Sequence, residues 1–322
     1  MTSRWIGHDR NWAQFSAGLT AGKLHHGWIL AGPRGLGKAG FATRAAAALV
    51  DPDGLNSRLT EKQSHPDILR IKRLPKEPPK EGEDVDPNAE LKRSISIDQI
   101  RELQRALTMR PSMGPKRAVI IDAADDLQRE GANALLKSLE EPPVGTYFLL
   151  VSHASDRLLA TIRSRCQILR FEPLAHEEMR QALLAALPDL PTSEVEPLIR
   201  ASAAPGQALD FAGLDLGLIE TTMDKILASG DATNGLRQQL AEALSLKAAQ
   251  PRYEAFLRRV PARIAAHARQ QAPGDALASV NAFHAAETLA ARAIGLSLDK
   301  QAVVFQMGTL LASLQNPKQR AS

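Results

Sequence analysis

Gly32-Pro33-Arg34-Gly35-Leu36-Gly37-Lys38 has the spacing of a phosphate-binding loop, but Ala39 follows where such a loop needs Ser or Thr. The glycines let backbone N–H groups approach phosphate oxygens, the lysine reaches the terminal phosphates, and the missing hydroxyl is the one that holds Mg²⁺. A methyl group offers no oxygen to a metal. It also leaves undone the charge neutralisation that phosphoryl transfer takes largely from that metal. The loop therefore keeps the parts that hold nucleotide and lacks one that hydrolysis needs. A tight strand-to-helix turn with no ligand is the alternative reading of the same letters.

A second element points the same way. Ala118-Val119-Ile120-Ile121 leads into Asp122, an acid at a strand tip of the kind that sits near Mg²⁺. An ATPase of this type follows that acid with a Glu that orients the attacking water. This chain has Ala123, with Asp125 and Asp126 only later.

These residues must be placed by strands. Short apolar runs predict five of them, at Trp28 to Ala31, Ile68 to Ile71, Ala118 to Ile121, Tyr147 to Val151 and Gln167 to Phe171. Helical patterns fall between most of them, and the alanine-rich stretch Gly40 to Val50 follows the loop directly. Strands alternating with helices predict an α/β unit with a parallel five-stranded sheet and its ligand crevice at the carboxyl ends of the strands. Residues 72–93, rich in proline and in charges of both signs, read as a mobile surface insertion or a partner-binding loop.

Beyond Pro173 the strand-like runs stop. His176 to Leu187 and Ser193 to Ser202 suit short helices, broken by Pro188 and Pro191. Leu236 to Ala249, Tyr253 to Gln271, Asp275 to Leu296 and Lys300 to Leu314 suit longer helices of a separate bundle, with Pro261 expected to kink the second. Three parts are therefore expected, at 1–172, 173–228 and 229–322.

Composition narrows the function classes. In 322 residues, 44% are hydrophobic and only 4% aromatic, a balance that favours helices and can bury a core. The formal charge of +4 permits contact with DNA without establishing it. No stretch is apolar enough to span a membrane, and the polar Met1-Thr2-Ser3-Arg4 is unlike a signal peptide, so a cytoplasmic protein is expected. One cysteine, Cys166, rules out an intrachain disulfide and any cysteine-cluster metal site. It reads as a buried apolar residue. His25 and His26 lack metal-ligand partners in the sequence and read as structural.

Four longer segments carry a resemblance. Lys23-Leu24-His25-His26-Gly27-Trp28, His65-Pro66-Asp67, Asn133 through Pro143 (Asn-Ala-Leu-Leu-Lys-Ser-Leu-Glu-Glu-Pro-Pro) and Thr161-Ile162-Arg163-Ser164-Arg165-Cys166-Gln167 resemble the bacterial clamp-loader AAA+ family, in that family's order over most of the first 170 residues. The resemblance implies an AAA+ P-loop domain, a small helical lid domain and a helical collar domain that joins subunits into a ring.

It also implies roles. The degenerate nucleotide-binding set is Gly32, Gly35, Gly37, Lys38 and Asp122, with Ser152 at the sensor position and Gly206 where an active subunit has a second sensor arginine. Arg165 matches the arginine finger that acts in trans on a neighbour's ATP, where the residues alone favour a local salt bridge and Arg163 is the nearest rival. The damaged site resembles the family's stator type more than its gamma/tau motor type. That implies gamma/tau and delta subunits as partners, with the sliding clamp and primed DNA met through the complex. An active gamma/tau-like ATPase is the alternative. ATP or ADP held without turnover is the implied ligand, and zinc is not expected because the family's four module cysteines are missing.

Overall fold

The computed structural model describes residues 6–77, 89–202, 204–214, 216–272, 276–296 and 298–315. They fall into two compact units, Met1–Glu178 and Met179–Ser322.

The first unit contains α1 (Asp9–Thr20), β1 (Gly27–Ala31), α2 (Lys38–Val50), α3 (Ser57–Glu61), β2 (Ile68–Lys72), α4 (Ile97–Leu107), β3 (Arg117–Asp122), α5 (Arg129–Glu140), β4 (Thr146–Ser152), α6 (Ala160–Arg163) and β5 (Gln167–Arg170). All neighbouring strands pair in parallel, in the order β2-β3-β4-β1-β5. The three central strands are buried almost throughout, which is why their sequences read as continuous apolar runs. The edge strands β2 and β5 mix polar residues in. The five predicted strands are all present, each within a residue or two of its expected limits.

Alternation along the strands builds two cores. Ile29, Val119, Ile121, Phe148 and Leu150 face α4 and α5, meeting Ile100, Leu103, Leu135 and Leu139. On the other face Trp28 meets Phe15 of α1, with ring centroids 5.5 Å apart, and Phe15 meets Phe41 of α2 at 6.0 Å. Helix α1 is not among the predicted helices. His8 before it sits in a left-handed conformation with no side-chain cap, so the start carries no sequence signal. By contrast Ser96 and Gln99 close a capping box at α4.

His65-Pro66-Asp67 has a structural purpose. Asp67 is fully buried and accepts N–H bonds from Ser112 (2.7 Å) and Met113 (2.8 Å), with the Arg117 guanidinium 3.8 Å away. Arg117 in turn donates to the carbonyls of Ala106, Met109 and Arg110. A buried charge is tolerated when it is paired and hydrogen-bonded in this way. The pair fixes the loop between α4 and β3. The proline-rich insertion is joined at its base by backbone bonds between Lys76 and Glu90 and between Lys92 and Leu74. Residues 78–88, half of the expected mobile segment, lie outside the described residues.

The second unit is helical: α7 (His176–Ala186), which starts just ahead of the division, then α8 (Thr192–Ala201), α9 (Pro205–Phe211), α10 (Gly217–Ser229), α11 (Gly235–Ser245), α12 (Gln250–Arg269), α13 (Leu277–Leu296) and α14 (Lys300–Ala312). Helix α12 runs through Pro261. Helices α9 and α10 are further elements that the sequence pattern did not predict. Arg237 of α11 is buried against Asp231 (3.0 Å) and donates to Thr309 of α14 (2.9 Å). Its stem crosses α14 at Gly308, where an added Cβ would lie 2.7 Å from its Cγ.

Candidate nucleotide site and arginine rim

The phosphate-binding loop lies between β1 and α2, as its spacing requires. The Gly32 N–H donates to the Ser152 carbonyl (3.2 Å), tying the loop to the end of β4. An added Cβ at Gly32 would lie 2.4 Å from the Phe171 carbonyl oxygen, a gap only glycine fits. Gly35 and Gly37 hold left-handed φ of 88° and 78°.

Lys38 turns inward. Its Nζ donates to the carbonyls of Gly32 and Pro33, each at 2.6 Å, and the residue is 3% exposed. Burial lowers its pKa to about 8, against the opposing charges of Asp122 and Asp125. The ammonium thus bonds its own loop at the place where a phosphate oxygen would be its partner.

The acids around it are mostly engaged. Asp125 accepts from the Ser152 hydroxyl (2.9 Å) and from the backbone N–H groups of His153 (2.7 Å) and Ala154 (3.0 Å), capping the end of β4. Ser152 is fully buried in that network. Asp126 pairs with Arg73 at 3.1 Å, and burial still holds its pKa above the ordinary value. Among the described residues, Asp122 is the one of the three with no hydrogen-bond or ion-pair partner. With methyl groups at Ala39 and Ala123, the donor set does not fit a catalytic Mg²⁺.

Two neighbours escaped the sequence reading. Arg70 of β2 donates to Thr43 (3.1 Å), and burial lowers its pKa against the opposing charge of Asp122. An arginine in the middle of the apolar run Ile68 to Ile71 was the signal available. His153 is held neutral, first by burial and next by the Lys38 charge.

The second rim lies at the opposite end of β1. Arg165 follows α6 and places Nη2 2.7 Å from Glu140 Oε1, the last residue of α5. Its Nη1 donates to the Thr161 carbonyl (2.9 Å) and the Ser164 hydroxyl (3.2 Å). The local salt bridge that the residues alone favoured is therefore present, and the side chain is still 33% exposed. Arg163 pairs with Asp156 at 3.4 Å. Cys166 is partly buried rather than fully so, and that burial pushes its thiol up to about 12, away from thiolate chemistry.

Three of the sequence signatures meet at this rim. The His26 Nε2–H donates to the Leu139 carbonyl (2.9 Å), bracing the end of α5, and burial together with His25 keeps the ring neutral. An added Cβ at Gly27 would lie 2.9 Å from Cys166 Sγ and 3.1 Å from the Arg165 carbonyl oxygen, so Gly27 lets the arginine turn pack against β1. In the second unit, Gly206 is the second residue of α9 and offers no side chain to a nucleotide. Among the described residues, no group of three or more His, Cys, Asp or Glu could hold a metal ion.

A glycine-rich loop between a strand and a helix, on a five-stranded parallel sheet ordered β2-β3-β4-β1-β5, defines an AAA+-type P-loop fold. The sequence model described as "DNA polymerase III, delta subunit" matches residues 7–175, and the chain belongs to that clamp-loader family. It is 34% identical over 187 residues to DNA polymerase III subunit delta' of Pseudomonas aeruginosa, covering 55% of this chain and 52% of that one. It is 29% identical over 174 residues to subunit gamma of Buchnera aphidicola, covering 54% and 46%, and 30% identical over 173 residues to subunit delta' of Escherichia coli, covering 51% and 47%. The chain thus spans about half the length of these relatives. A gamma subunit-related protein of Thermotoga maritima superposes with a TM-score of 0.48 at 17% identity over 94% of this chain and 100% of that chain, a likeness too loose to carry any argument. No helix among the described residues is long and apolar enough to cross a membrane.

Proposed function

We propose that this chain is a delta'-like stator of a DNA polymerase III clamp loader. It assembles with gamma/tau and delta subunits, turns over no ATP in its own site, and completes a neighbour's ATP site with Arg165. Through that complex it helps load the sliding clamp onto primed DNA as a cytoplasmic part of the DNA-directed polymerase holoenzyme. Residues 173–228 act as the lid and 229–322 as the collar that holds the ring together.

The observation that carries this reading is Lys38, whose ammonium bonds the carbonyls of its own loop while Ala39 and Ala123 stand where metal and water need polar groups. Phosphoryl transfer is almost entirely positioning and charge stabilisation, so losing the metal ligand and the water-orienting acid removes catalysis even where binding persists. A guanidinium is always charged and is suited to terminal phosphates, which supports Arg165 as the retained working group.

The test is Mg²⁺-dependent ATP turnover by the purified chain, expected at background. Turnover well above background that is lost in Lys38→Ala would replace this reading with that of an active gamma/tau-like motor subunit, for which Lys38 and Asp122 would be the retained parts.

A further inference from the structure

Arg165 is held by more than its own turn. Its guanidinium engages groups from two separate elements, the Thr161 carbonyl and Ser164 hydroxyl at α6 and the Glu140 carboxylate at the end of α5. Nη1 gives two hydrogen bonds, while Nη2 lies 2.7 Å from the Glu140 carboxylate as an ion pair. Nε has no partner among the described residues, so the group is held on one side and still has a donor to offer.

Glu140 is itself fixed. Leu135 and Leu139 bury α5 in the sheet core at 0% and 1% exposure, and the His26 ring bonds the Leu139 carbonyl one residue before Glu140. Pro142 and Pro143 end the helix just beyond it. Glu140 therefore reaches Arg165 from a braced helix end.

An arginine side chain is rich in rotamers, and a finger that must be ordered only at docking loses that freedom at that moment. Glu140 moves this ordering into the folding of the chain. We propose that Glu140 is the positioning residue of Arg165: it presets the guanidinium so that a neighbouring subunit's nucleotide phosphate meets the free donor in place. The proposal rests on the reading of Arg165 as a trans-acting group. The carboxylate does not touch the nucleotide and acts only through the arginine.

The experiment is a mutant cycle in the reconstituted complex with gamma/tau and delta subunits, read as DNA-stimulated ATP turnover at matched assembly. Glu140→Ala is expected to lower kcat about two- to fivefold, the range of a partly exposed ion pair, with KM for ATP unchanged. Glu140→Gln, which keeps the acceptor and loses the charge, is expected to fall between wild type and Glu140→Ala. In the Arg165→Ala background, Glu140→Ala is expected to add nothing. A full drop with Arg165→Ala but none with Glu140→Ala overturns the positioning role and leaves the finger reading intact. A further loss in the double variant overturns it as well, by showing that Glu140 acts independently. No drop with Arg165→Ala overturns both.

Discussion

Lys38 and Arg165 are both cations held by oxygen atoms of their own chain, and they are held to opposite effect. Lys38 is 3% exposed, points back into its loop and has near it Asp125, which the fold has engaged elsewhere. Arg165 is one-third exposed and keeps Nε without a partner among the described residues. At one rim the cation is turned onto its own backbone, while at the other a partly exposed guanidinium faces groups outside its own turn. The difference lies in what surrounds each cation: two carbonyls of its own buried loop hold Lys38, whereas a carbonyl, a hydroxyl and a carboxylate hold Arg165 at the surface.

The sharpest way to break this contrast is Asp125→Ala. It strips three donors at the end of β4 of a charged acceptor and is expected to lower folding stability by about 3 kcal/mol in denaturant unfolding, with turnover per assembled complex unchanged. If turnover per complex fell with stability unaffected, the loop rim would be functional after all. Arg165→Ala is the mirror case. About a tenfold or greater loss of DNA-stimulated turnover is expected in the complex, with stability within about 0.5 kcal/mol, and a finger in an isolated site would be worth more.

Gly27→Ala tests whether the arginine rim depends on its close packing. The added methyl meets Cys166 Sγ at 2.9 Å and the Arg165 carbonyl at 3.1 Å, so a loss of about 1–2 kcal/mol is expected together with reduced turnover in the complex. Thermal unfolding and turnover measured on the same samples check both.

The smallest effect is a pH dependence shared by both rims. Burial is the leading cause that lowers the pKa values of His8, His26 and His153 below the ordinary 6.5. Each binds its proton less readily folded than unfolded, so the unfolded chain gains protons first as pH falls. Their contribution is complete above pH 6.5 and declines below it, by less than about 1 kcal/mol per site in the first unit of pH. His26→Gln should flatten part of that slope in unfolding curves taken between pH 7 and 5.

Much of the first unit was legible because its signals are local. Three buried strands need long apolar runs, and the loop needs its glycines for left-handed turns and a close approach. The α1 start and helices α9 and α10 were not legible, since α1 and α10 lack a capping side chain and the stability of a helix as short as α9 comes mostly from packing. Ala39 and Ala123 were legible as residues without oxygen, because an absent oxygen is a property of the residue itself. The direction of Lys38, the capping work of Asp125 and the reach of Glu140 to Arg165 were not.

From residue types and spacing alone came the sheet, the family likeness and the missing oxygens at Ala39 and Ala123, for these depend on periodicity and on which atoms a side chain has. Only the folded chain decided which partner each charge takes. Glu140 and Arg165 are 25 residues apart and His26 is more than a hundred from the helix end it braces, so their meeting is set by how β1, α5 and α6 pack. A charge chooses the nearest well-placed oxygen, and nearness across such separations belongs to the tertiary structure.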